Sequence, residues 1–262
     1  MTGTIEAVTL ERAGGVLDCF VVPWDTATFG FTVADVSRFE LASDAGATGV
    51  LADLDAWCTD RAVRLVSCRL DHTRLRESIA LEEVGFRFIE MVHGPRLDGL
   101  DGLPAPRHAI RVEEAALEDL AAIEEIAFDA FITGRFLLDP RLDPELGRRR
   151  YAAWVRTSID DPRQVLLAAR IDGELVGFFI VEDRADGSVY WHLTAIAPGW
   201  QGRGIGRSLW QTMLLRHRAA GATSIQTTIS GHNAAAINLY ARLGFTFDSP
   251  RMTFHWVREP VG

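Results

Sequence analysis

Cysteine is scarce in this chain and has no pattern. The three thiols, Cys19, Cys58 and Cys68, are odd in number and form no C-x-x-C pair. That argues against a disulfide framework or a cysteine metal site and leaves reduced, structural thiols as the reading. The histidines form no H-x-x-x-H pair either, so no metal is expected. Long apolar runs are also missing: none reaches the ~20 residues of a membrane helix. The first ten residues, MTGTIEAVTL, lack the basic start and apolar core of a signal peptide. A cytoplasmic protein with no membrane partner is expected. Positive charge is in deficit, with a formal net charge of -9, which works against a nucleic-acid partner. The basic stretch GRRRYAAWVR reads as a solvated helix face.

What remains is the composition of a soluble globular protein, 48% hydrophobic and 24% charged over 262 residues. That length holds one large domain or two ordinary ones. VLDCFVV (16–22) reads as a strand and PWDTATFGF after it as a turn-rich segment. A helix is expected over 50–60, a buried strand over 62–70, a helix over 75–84 ending at Gly85, and a strand through FRFIEMVH. RLDGLDGLPAPRHA (96–109) is rich in Gly, Pro and Asp and reads as a boundary. It divides an N-terminal α/β domain (1–100) from a second domain (109–262).

The second half begins with a strand, AIRVEEA, and a helix over about 116–130. FITGRFLLDPRLDP reads as a loop and ELGRRRYAAWVRTSI as another helix. Three antiparallel strands follow, turning at Asp172-Gly173 and Asp186-Gly187. Then come a helix (205–219), a strand (223–230), a helix (234–243) and a last strand pair. LRESIALEEVGFRF lies over AAAINLYARLGFTF when Gly85-Phe86 is set on Gly244-Phe245, which reads as a duplicated unit. The first copy has no glycine loop and carries Leu81 where the second has Tyr240.

WQGRGIGRSL (200–209) places three glycines at the start of a helix. Glycine there permits a sharp turn and close backbone approach, and a helix N-terminus is an anion site. No lysine follows as in a P-loop, and G-x-G-x-G after antiparallel strands fits a dinucleotide fingerprint poorly. QGRGIG instead fits Q/R-x-x-G-x-G/A, and NAAAINLYARLGF follows about thirty residues later. With these two motifs, residues from about 109 to 258 resemble the GCN5-related N-acetyltransferase (GNAT) superfamily. PWDTATFGF, LRESIALEEVGFRFIE, and FDAFITGRFLLDPRLDP with YAAWVRTS extend a looser resemblance over nearly the whole chain, to the dTDP-fucosamine (dTDP-4-amino-4,6-dideoxygalactose) acetyltransferase group, whose substrate-side loop and helix the last two resemble.

The resemblance implies a GNAT fold, an α/β architecture whose mixed, mostly antiparallel central sheet is flanked by helices, preceded by a degenerate GNAT-like α/β half. It implies acetyl-CoA as co-substrate, its pyrophosphate on the backbone of Gln201, Gly202, Arg203, Gly204, Ile205, Gly206 and Arg207. Its pantetheine arm would pair with the strand at Thr194, Ala195 and Ile196, and Asn233 would add a contact or simply cap its helix. Tyr240, two turns after Asn233 on the same face, is the implied general acid beside the thioester sulfur; a core aromatic is the bland alternative.

A general base is left open. His192 alternates with Tyr190 and Thr194 and is the first candidate, with Glu182 and Asp183 behind it and a structural histidine as the alternative. Arg135, or Arg74 or Arg76, could hold a nucleotide-linked substrate, and Trp24, Phe29 and Phe136 could wall it. Paired arginines and packed aromatics are the competing readings. The function expected is acetyl transfer to an amine, first an amino sugar. Another small amine, an antibiotic, a protein N-terminus, or a CoA sensor without turnover stay open, as does the choice between monomer and homodimer.

Overall fold

In chain order the elements are β1 (Val8–Arg12), β2 (Gly15–Val21), α1 (Pro23–Phe29), β3 (Thr32–Leu41), α2 (Ala45–Asp60), β4 (Val63–Asp71), α3 (Leu75–Glu83) and β5 (Arg87–His93). There follow β6 (Pro95–Asp98), β7 (Arg111–Glu114), α4 (Leu120–Ala130), α5 (Arg135–Leu138), α6 (Pro144–Ser158), β8 (Val165–Ile171), β9 (Glu174–Asp183) and β10 (Ser188–Ile196). The chain continues with α7 (Ile205–Ala219), β11 (Ser224–Thr227), β12 (Ile229–Ser230), α8 (Ala234–Arg242), β13 (Thr246–Phe247) and β14 (Arg251–Val257). This is a computed structural model, and it describes residues 6–258. Residues 1–5, half of the stretch read for a leader, lie outside the described residues. No helix among those described is long and apolar enough to cross a membrane.

The first compact unit runs to Val92 and takes in Leu138–Leu146 and the chain from Ser249 onward. Within this unit the strands run in the order β1-β2-β3-β4-β14-β5. Among these six only β3 and β4 are parallel neighbours, joined by α2 as their crossover. Leu17, Leu54, Leu81, Phe86 and Phe254 form its core, with all three cysteines among them. The thiols are free. Burial pushes those of Cys19 and Cys58 up to about 12 and raises that of Cys68 well above the usual thiol value, so they stay protonated and inert.

The second unit covers His93–Leu137 and Gly147–Asp248. Its sheet has the order β13-β6-β11-β10-β9-β8-β7, antiparallel except for β10 beside β11, with α7 as the crossover. On one face Val181, Trp191 and Ile225 pack with Trp210 of α7 and Tyr240 of α8. On the other Phe178, Ile180 and Leu193 pack with Ile123 of α4 and Val155 of α6.

The echo between the halves is structural. Strand, crossover helix, parallel strand and helix recur in order, and Gly85 and Gly244 end the later helices at φ 104° and 88°. Only glycine takes such φ freely, which lets the chain reverse into the next strand.

Three elements differ from the sequence reading. PWDTATFGF holds a helix, α1, with Pro23 at its first turn and Gly30 in the left-handed conformation at its end. The loop at 131–144 contains α5. The third difference concerns the ends of the halves. β6, from the Gly/Pro-rich boundary stretch, pairs with β11 and β13 in the second sheet. β14, at the far end of the chain, pairs with β4 and β5 in the first. The last two strands are thus not a pair, and a cut between residues 100 and 109 does not separate the two sheets.

Candidate active site

The site grows from the parting of two strands. β10 and β11 pair only from Ser188↔Ser224 to Trp191↔Thr227. β10 then runs on along β9 to Ile196↔Gly177, while β11 has ended. Thr227 Oγ1 donates to the Trp191 carbonyl at 2.7 Å where the strands part. Thr194, Ala195 and Ile196 therefore lie on a stretch whose β11 side has no strand partner, as an added-strand ligand requires. Gln201 Nε2 closes one acceptor there, the Ile196 carbonyl, at 3.1 Å.

The glycine loop follows directly. Gly202 and Gly204 sit at φ 74° and 75°, and a Cβ built on either would meet nothing within 4 Å. The loop surface is thus open, and its turn is one that residues with side chains adopt only at a cost. α7 starts at Ile205 with no acidic residue in its first turn. Its first amides have no acceptor within the helix, and Arg207, exposed in that turn, adds positive charge to the positive end of the dipole. A basic residue there is unfavourable unless an anion balances it. Arg203 lies 5.0 Å over the Trp200 ring. Backbone, dipole and guanidinium together suit a phosphate-bearing ligand.

Tyr240 of α8 is buried, 1% exposed, and packs edge-on against Phe245 at 4.9 Å. Among the described residues its hydroxyl has no hydrogen-bond partner, and neither does Trp210 Nε1 nearby. Burial raises the phenol pKa, and the polar groups of Trp210, Thr194 and Thr227 offset only part of that. Thr194 and Thr227 flank the point where β10 and β11 separate, so the phenol faces the fork. A buried hydroxyl without a partner costs about 1–3 kcal/mol, and a ligand atom lying in the fork would satisfy it.

His192 does not share a face with Thr194, contrary to the alternation expected. β10 carries a bulge between Trp191 and Leu193. A bulge adds one residue and so inverts the alternation beyond it. Trp191 opposes Val181 on the α7/α8 face, whereas Leu193 opposes Ile180 on the α4/α6 face. His192, the extra residue, points with Tyr190 and Glu182. Its Nε2 lies 2.8 Å from Glu182 Oε2, and its ring is 4.9 Å from Tyr190 and 5.9 Å from Trp154 of α6.

The other expected residues scatter. Asn233 caps α8, its Oδ1 accepting from the Ala236 amide at 3.0 Å. Phe136 is 1% exposed, with the guanidinium groups of Arg135 and Arg150 over its ring at 4.6 and 5.1 Å. It is a packing residue, and Arg135 lies against it. Trp24 and Phe29 belong to the first unit, where Phe29 is buried and Trp24 is 51% exposed. Arg74 and Arg76 are paired with Glu77 and Asp44. Sequence reasoning did not find Thr227, held Glu182 only as a spare base, and held Trp154 only within YAAWVRTS, the helix that the resemblance places on the substrate side.

Residues 120–245 match the model of the acetyltransferase (GNAT) family. The spore coat polysaccharide biosynthesis protein SpsD of Bacillus subtilis is 28% identical over 137 residues, 52% of this chain and 47% of that protein. A mycothiol acetyltransferase of Streptomyces avermitilis is 40% identical over 89 residues, 32% of this chain and 28% of that one. The chain thus spans less than half the length of either relative. The crystal structure of a GCN5-related N-acetyltransferase from Sphaerobacter thermophilus superposes with TM-score 0.67 at 16% identity, covering 95% of this chain and 82% of that one. That likeness carries the fold.

Proposed function

We propose, from the premise that residues 120–245 form an acetyltransferase domain of the GNAT family, that this protein acetylates the amine of a small molecule, by preference an amino sugar. The observation that carries the reading is the fork itself. One buried hydroxyl without a partner faces it, and an open glycine turn leads into a helix N-terminus beside it. These residues fit acetyl-CoA: the amides from Gln201 to Arg207 would hold the pyrophosphate, and the free side of β10 the pantetheine arm.

When bound, acetyl-CoA supplies an acetyl thioester, whose C–S bond is exchanged for a C–N bond to the amine. Tyr240 holds its proton at neutral pH, because burial keeps its pKa above the usual value. The phenol therefore serves as a hydrogen-bond donor to the sulfur that carries charge as the bond breaks. His192 takes up the proton the amine nitrogen loses. The amino-sugar preference is supported by the polysaccharide role in the name of the Bacillus relative and by the whole-chain resemblance to sugar-nucleotide acetyltransferases.

The test is an acetyl-transfer screen read by mass spectrometry. Acetyl-CoA and the protein meet dTDP- and UDP-linked amino sugars, glucosamine, aminoglycosides, amino acids and peptides. All 27 Lys and Arg positions of this chain are arginine, so no acetyl-lysine on the enzyme itself obscures the readout. Product on an amino sugar is expected. Product on another amine alone would sink the sugar preference, and CoA binding without product anywhere would favour a sensor.

A further inference from the structure

The bulge in β10 divides the two proton-handling groups between the faces of the sheet. Tyr240 and Thr194 lie on the α7/α8 face, and Glu182, His192 and Tyr190 on the α4/α6 face. The His192–Glu182 contact is directional. A carboxylate only accepts hydrogen bonds, so the ring nitrogen facing it must be the one that carries hydrogen. Nε2–H therefore donates to Glu182 Oε2 at 2.8 Å, and in the neutral ring the lone pair sits on Nδ1. Two aromatic rings frame this imidazole. Tyr190 is tied by its hydroxyl to Thr228 Oγ1 at 2.6 Å, and Trp154 by Nε1–H to Gln164 Oε1 at 3.2 Å. Both His192 and Glu182 keep some exposure, 17% and 21% of their side chains, so a substrate amine can reach them.

We propose that Glu182 is the positioning residue of the base, fixing His192 as the Nε2–H tautomer, and that the acceptor amine approaches over the α6 side between Trp154 and Tyr190. This rests on the acetyl-transfer reading above. The amine proton passes to His192 Nδ1 as the C–N bond forms, while Tyr240 donates to sulfur from the opposite face. The imidazolium then gives its proton to solvent and Tyr240 regains one from solvent, so the balance closes on one amide, one free thiol and both side chains restored. Attack and departure thus take place on different sides of one strand.

The experiment has two arms. In the first, ¹⁵N-histidine-labelled protein with CoA present is observed by NMR at pH 8, and the His192 ring signals are assigned by their loss in His192→Gln. The wild type should show hydrogen on Nε2 and a bare Nδ1. Glu182→Ala should show a mixture of tautomers, and Glu182→Gln, whose amide oxygen still accepts, should restore the single form.

The second arm measures kinetics with dTDP-4-amino-4,6-dideoxygalactose, or with whichever amine of the screen is turned over. Glu182→Ala should lower kcat by about tenfold or more with the KM for acetyl-CoA unchanged, and Glu182→Gln should recover most of the loss. Trp154→Ala should raise the KM for the amine alone. Full kcat in Glu182→Ala, or hydrogen on Nδ1 in the wild type, overturns the proposal. A wild type silent on every amine overturns the acetyl-transfer reading instead, and the tautomer arm still reports on the pair.

Discussion

Tyr240 separates the demands of function and stability at a single oxygen. Its hydroxyl is buried with no partner, an arrangement that costs the folded state about 1–3 kcal/mol. Tyr240→Phe removes the oxygen and keeps the ring against Phe245 and Trp210. The variant should melt no lower than the wild type, while kcat for acetyl transfer falls by about 10²-fold. A matching loss of Tm would show the hydroxyl to be structural.

Asp139 shows the opposite case, a buried polar group that is fully paired. Its carboxylate accepts from both Arg141 Nε and Nη2, at 2.9 and 2.8 Å, and from His255 Nδ1 at 3.0 Å. Burial alone would raise its pKa, but these hydrogen bonds outweigh that and hold it well below the usual carboxylate value. A depressed folded pKa gives stability that is complete above the unfolded value, about 3.9, and lost as pH falls further. Urea unfolding should therefore show ΔG declining below about pH 4, with a shallower decline in Asp139→Asn. At pH 7 Asp139→Ala should cost about 3–5 kcal/mol, because a buried partner loses its counter-charge.

Among the elements, the start of α7 is where the chain gives up intrinsic stability for shape. Gly204 stands at φ 75°, so an alanine there is strained by about 1–2 kcal/mol even though its Cβ would meet no atom within 4 Å. Gly204→Ala should weaken CoA binding in calorimetry by about tenfold, as the loop amides lose their aim. Gly199→Ala, where the added Cβ also meets open space and φ is not positive, is the control that should bind as the wild type does. Equal binding by both variants would remove the loop from the site.

These elements also show what could be read beforehand. The loop, α7, α8 and the β8–β9–β10 meander are local patterns: glycine spacing, helical periodicity and Asp-Gly turns state them directly. The bulge does not. Tyr190, His192 and Thr194 alternate as in any strand, and only the pairing of β10 with β9 shows Thr194 turned to the opposite face. α1 is hard to see in sequence because Pro23 and Gly30 punctuate a helix of only seven residues. β6 is equally hidden, because four residues, PRLD, carry no periodicity of their own and become a strand through β11 and β13.

For the whole molecule, the decisive feature is that each sheet takes a strand from the other end of the chain. The second sheet needs β6, which lies between β11 and β13, and the first needs β14 between β4 and β5. Local sequence signals cannot state such long-range pairing, since the partners of β14 lie about 160–190 residues away, at Leu65–Asp71 and Arg87–Val92. A fragment of residues 109–262 holds both acetyltransferase motifs and would be the natural piece to excise from sequence alone. It leaves β11 and β13 without the strand between them and frees β14, whose Phe254 is a core residue of the first unit. Unpaired edges of this kind are templates for association. The fragment should therefore aggregate or elute as a broad oligomer in size-exclusion chromatography, with no cooperative thermal transition, whereas the full chain melts cooperatively. A monomeric, cooperatively folding fragment that still binds CoA would show the exchanged strands to be dispensable, and would place all the determinants of the fork between residues 109 and 248.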